Sequence, residues 1–180
     1  FQLADAVMLQ SIDFPGLTSL GGLEMLSESE GDLAGLRIIS LPELSAVEGD
    51  FVLDGPRALY TVAADQLVTI EGDLAIRGGC TYEPSFPMLE SVGSLELVGN
   101  CGMESLDGIP LGEIRTQNSE GVSLQVESND GLSQAVLDAF VAGLSVTGTG
   151  SVAASAAEDG ACSTWQNARW KSESEWCSSE

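Results

Sequence analysis

The sequence predicts a mainly β solenoid forming one elongated domain, and three observations carry that prediction. A seven-residue phrase, apolar-Pro-x-Leu-x-x-aliphatic, returns as Phe14-Pro15-Gly16-Leu17-Thr18-Ser19-Leu20, Leu41-Pro42-Glu43-Leu44-Ser45-Ala46-Val47 and Phe86-Pro87-Met88-Leu89-Glu90-Ser91-Val92. Residues 64–70 repeat it without the proline and residues 109–114 repeat it one residue short. Starts at 14, 41, 64, 86 and 109 give steps of 27, 23, 22 and 23, the period of stacked units that bury their apolar faces only against one another. The second observation is an alternating apolar segment after the phrase. The third is size: 180 residues at 43% apolar content suffice for one continuous core.

Each phrase leads into a glycine-containing turn and a short strand. The best copies are Val47-Glu48-Gly49-Asp50-Phe51-Val52-Leu53 and Ile70-Glu71-Gly72-Asp73-Leu74-Ala75-Ile76, with Val92-Gly93-Ser94-Leu95-Glu96-Leu97 shortened. Period-two alternation turns Phe51, Leu53, Leu74, Ile76, Leu95 and Leu97 inward. Val52, Ala75 and Glu96 then face outward, with Gln125 of residues 122–126 in the same place, and these small or polar positions suit a flat contact surface. At a strand spacing of about 4.8 Å the segments form a parallel sheet along one side of a coil. Gly49 and Gly72 mark positive φ or a close backbone approach. Prolines 15, 42, 87 and 110 lack a donor and belong at corners or edges.

Residues 132–144 break the repeat. Apolar positions 132, 136, 137, 140, 141 and 144 share one helical face, which predicts a helix near 133–144 with Ser133 as N-cap and Gly143 near the stop. Its expected role is to cover the open end of the coil. Residues 146–152 return as one more strand, which places the repeat domain at 1–152. A tail at 153–180 gathers Trp165, Trp170 and Trp176 inside or beside a loop closed by Cys162 and Cys177. These tryptophans either plug the capped end or form an aromatic platform for a sugar or a partner protein.

Charge removes several partner classes. Six Lys and Arg against 28 Asp and Glu give a net charge of −22, which argues against nucleic acid and anionic membrane, both of which need a basic footprint. No stretch approaches the roughly 18 to 20 apolar residues that span a bilayer, and no basic segment precedes an apolar one at the start. Direct membrane insertion is therefore not expected. Cys80 and Cys101 lie 21 residues apart, close to one period, so stacking would bring them within bridging distance. With no histidine and no C-x-x-C pair, disulfides at Cys80–Cys101 and Cys162–Cys177 are favoured over zinc, and they point to an oxidising, extracytoplasmic compartment.

Catalytic equipment is sparse. The chain has no histidine, its sole lysine is Lys171 in the tail, and neither a phosphate-cradling loop nor a dinucleotide fingerprint is present. Asp50 and Asp73 occupy matching places in neighbouring copies, which would set their carboxylates about 5 to 8 Å apart, a separation that also serves paired acid/base work. A Gly-Asp turn recurs for purely conformational reasons as well. The same residues with Asp54, and with Glu48 and Glu71 nearby, are the candidates for calcium, although no contiguous D-x-D-x-D-G loop exists.

The composite pattern apolar-x-x-Leu-x-x-Ile-x-Gly-Asp-Leu-x-Ile, at residues 44–53 and 67–76, resembles the receptor L-domain family over roughly residues 14–130. Residues 129–148, a turn, a Ser-led helix and a Thr/Gly strand, look like the ending of its bacterial cell-surface members. No Asn opens an N-x-Ser/Thr sequon. The resemblance implies a right-handed parallel β-helix of about five rungs. It also implies a recognition or adhesion role with no catalytic residue to carry over. The expected protein is secreted or displayed at a cell surface and binds a protein or glycan, with Tyr60, Tyr82, Trp165, Trp170 and Trp176 as candidate hot spots. The alternatives are a spacer or tip module of a surface fibre and a polysaccharide-active β-helix enzyme using Asp50 and Asp73. Oligomeric state stays open.

Overall fold

The computed structural model describes residues 2–3, 9–26, 33, 35–55, 58–79 and 83–156. Within them the chain is mainly β with one short helix, and every strand pairing is parallel. The pairings fall into three rows. One row joins Ser19–Leu20, Ala46–Val47, the first residues of Thr69–Arg77 and of Ser91–Val98, then Glu113–Ile114 and Ser145–Val146. A second joins Gln2–Leu3, Leu23–Leu26, Phe51–Asp54, the remainder of the two long strands, Val122–Glu127 and Ser151–Ala154. The third is a separate four-stranded sheet, Ser11–Asp13, Ile38–Ser40, Thr61–Ala63 and Glu83–Ser85, whose strands immediately precede the phrase.

Register follows from the alternation. Phe51, Leu74, Leu95 and Leu124 are successive Cα partners, as are Leu53, Ile76, Leu97 and Val126, and all are buried. Ile12, Ile39 and Val62 close the core from the four-stranded sheet. Phe51 meets Phe86 edge to face, with ring centroids 5.8 Å apart and planes at 76°.

The phrase itself is a β-turn. The N–H groups of Leu17, Leu44, Leu67 and Leu89 donate to the carbonyls of Phe14, Leu41, Ala64 and Phe86 at 3.0–3.2 Å. Proline therefore sits second in the turn, where its fixed φ suits the geometry. The copy at 109–114 is a residue short and closes through a tighter turn, Leu111 N–H to Ile109 O at 2.7 Å.

The glycine turns expected at 72 and 93 are instead interior to continuous strands, with a register shift between Val92 and Ser94. Close approach is the reason for glycine there: a Cβ on Gly72 would lie 2.8 Å from Gly49 C, and one on Gly93 would lie 2.5 Å from Gly72 O. Positive φ occurs elsewhere, at Gly55, Gly78, Gly99 and Ser128, each directly after a strand of the second row.

The helix runs Gln134–Gly143, and Ser133 Oγ accepts from Val136 N–H as predicted for the N-cap. It buries Leu137 and packs Val136, Phe140 and Val141 against the core. Two strands follow it, Ser145–Val146 and Ser151–Ala154, so the helix does not end the stack of strands. The last strand spans the division placed at residue 152.

Candidate functional site

Val52, Ala75, Glu96 and Gln125 align as Cα partners across the second row, as the alternation requires. They do not form the flat contact surface expected of them, because Ala75 is 0% and Glu96 3% exposed. The cause is a cover of charged and amide groups. The Glu96 carboxylate accepts from Arg77 Nε at 2.7 Å, from Arg77 Nη2 and from Asn118 Nδ2. Asn118 is buried and clamps its own loop, its Oδ1 taking the N–H groups of Glu120 and Val122 at 2.9 Å. Arg77 also reaches Asp54 at 3.6 Å. Burial opposes the Arg77 charge, but the Glu96 hydrogen bond and the Glu96 and Asp54 charges hold it above the usual arginine range. Arg115 spans from its loop to the Ile70 carbonyl at 3.2 Å and to Glu71 at 3.4 Å.

Asp50 and Asp73 are neighbours, but Asp54 does not join them. Asp50 Oδ1 accepts from the backbone N–H of Asp73 at 2.9 Å, and Asp73 Oδ1 accepts from Ser94 Oγ at 2.7 Å. Each carboxylate thus ties its strand to the next. Asp54 lies at the other end of Phe51–Asp54, about 13 Å along the strand from Asp50 at 3.3 Å per residue. Among the described residues no group of three or more His, Cys, Asp or Glu is placed to hold a metal ion. The Asp73 carboxyl is pushed up by burial, with the Asp50 and Glu96 charges adding to it and the Ser94 hydroxyl and Arg77 opposing.

A second ladder, of buried asparagines, has no counterpart in the sequence reading. Asn129 Oδ1 accepts from Asn100 N–H and its amide donates to Leu97 O, both at 2.8 Å. Asn100 in turn donates to Ile76 O at 2.9 Å and accepts from Gly79 N–H. The available signal was an asparagine two residues beyond each of two strands, after Val98-Gly99 and Glu127-Ser128. Beside this ladder Cys101 is disulfide-bonded, and its N–H donates to Gly79 O at 3.1 Å. Residue 79 therefore runs alongside Cys101. Cys80, Cys162, Cys177, Tyr82, Trp165, Trp170 and Trp176 lie outside the described residues.

The outer face of the four-stranded sheet has no comparable cover of ion pairs among the described residues. Ile38 is 47% and Tyr60 56% exposed, and Ser11 and Asp13 are exposed beside them. Gln10 O accepts from Arg37 N–H and Arg37 O from Tyr60 N–H, both at 2.9 Å, so these three exposed residues stand side by side at the sheet margin. Nearby, the described residues that line a cavity of about 230 Å³ are all apolar, Ile12, Phe14, Leu17, Leu23, Met25 and Leu41 among them. It offers no acid, base or nucleophile. No family model, no curated protein and no solved structure matches this chain.

Proposed function

We propose that the chain is a right-handed parallel β-helix of the receptor L-domain kind, acting as a non-catalytic recognition domain that is secreted or displayed at a cell surface. The all-parallel pairing of segments about one repeat step apart supports the β-helix. The disulfide at Cys101 supports an oxidising compartment. The observation that carries the functional reading is the four-stranded face with Ile38 exposed on it and Arg37 and Tyr60 exposed side by side at its margin, since aromatic and arginine side chains are the usual anchors of protein interfaces.

An array of cell-surface proteins and glycans probed with the intact chain tests this reading. A surface protein should be retained, its binding should fall sharply in Ile38→Ser/Tyr60→Ser, and it should persist in Val152→Ser, a change at an exposed site on the last strand. Retention that is indifferent to the double substitution would place recognition elsewhere. Release of reducing ends or unsaturated sugars from a glycan panel would make the chain an enzyme instead.

A further inference from the structure

The three described arginines differ in one respect. Arg77 and Arg115 sit against carboxylates, whereas Arg37 has no ion-pair partner among the described residues, in a chain with 28 acidic groups. Asp13, the exposed acid on the same sheet, makes no ion pair with it. Arg37 is exposed, is followed by the half-exposed Ile38, and lies one strand from Tyr60. A guanidinium next to a phenolic side chain at the margin of a sheet face that exposes an aliphatic side chain is suited to a carboxylate that carries apolar groups beside it.

We propose that Arg37 sets the specificity of this face, and that its partner is a protein surface presenting one carboxylate flanked by apolar side chains within a neutral to basic surround. This rests on the recognition face assigned above. The net charge of −22 steers basic surfaces in and repels polyanions. An acidic polysaccharide, with charge repeated along its length, would meet that repulsion with Arg37 as the one described arginine beside this face to offset it. One carboxylate in a basic surround meets attraction at long range and Arg37 at contact.

Selection of a random-peptide display library on the intact chain tests the proposal, with thermal melting to verify that each variant is folded. Recovered peptides should carry an Asp or Glu beside apolar residues. Arg37→Gln, or replacing the peptide's acid by its amide, should weaken binding about tenfold, and the two changes together should do little more than either alone. Arg37→Lys should recover only part of the loss. If Ile38→Ser/Tyr60→Ser abolishes binding while Arg37→Gln leaves it unchanged, the role of Arg37 is overturned and the recognition face stands. Peptides indifferent to all three residues would overturn both.

Discussion

Two outward faces of the same core have opposite fates. On the second row, Ala75 and Glu96 alternate with the core residues yet are as buried as the core, and Arg77 and Asn118 close over Glu96. On the four-stranded sheet, Ile38 and Tyr60 stay half exposed. The difference lies in what the chain does next. Loop 115–121 returns across the second row and inserts Asn118, whereas the described segments beside the third row bring no such group. Alternation decides which side of a strand a residue takes; a distant loop decides whether that side meets solvent.

If the closed face is held by its charge network, Glu96→Ala should have the largest effect. It leaves Arg77 with only the longer contact to Asp54, so a loss of about 3 kcal/mol is expected in chemical denaturation, the low end for breaking a buried pair because Arg77 keeps some exposure. Glu96→Gln should recover part of that loss by retaining an acceptor. A loss under about 0.5 kcal/mol for Glu96→Ala would mean that the cover is held by packing alone.

Asn118→Ala should cost about 1 to 2 kcal/mol, since it removes one donor to Glu96 and the two bonds that clamp the loop. Hydrogen exchange at the amides of Glu120 and Val122 should speed up in this variant while exchange in Thr61–Ala63 stays unchanged. Faster exchange in both places would mean that the two faces are not independent.

Asp73→Asn should act more weakly and depend on pH. The folded pKa lies above the ordinary value of 3.8, so ionisation is harder in the folded than in the unfolded chain. Its stabilising contribution is full below pH 3.8 and is lost as pH rises through the raised folded value. The asparagine oxygen can still accept from Ser94 and carries no charge, so the variant should melt slightly higher than the parent at pH 7 and match it near pH 3. A variant less stable at both pH values would contradict the assignment.

The smallest effect is expected on the open face. Tyr60→Ser and Ile38→Ser should each change stability by about 0.5 kcal/mol or less, as at half-exposed surface sites. A loss above about 1.5 kcal/mol in chemical denaturation would show that these side chains support the fold and that the face is not open.

Much of the core was legible because Phe51, Leu74 and Leu95 repeat at a nearly constant step with period-two neighbours. The proline turn was legible for the same reason. Ser11–Asp13 and its three partners were not, since a strand of three residues contains too little alternation to stand out. The burial of Glu96 was hidden because its cover comes from Asn118, 22 residues away, in a loop with no periodic signal. Asn100 and Asn129 are 29 residues apart, out of step with the phrase, so they read as ordinary turn residues. Tyr60 stands out in the sequence by its type, whereas Arg37 acquires meaning only against the ion pairs of Arg77 and Arg115.

Arginine-selective labelling of the folded chain, followed by peptide mapping, tests the contrast between the faces most directly. Arg37 should be modified before Arg77 and Arg115, with Arg77 protected in the parent and released to a rate near that of Arg37 by Glu96→Ala. Equal modification of Arg37 and Arg77 in the parent would contradict a closed second row and an open third.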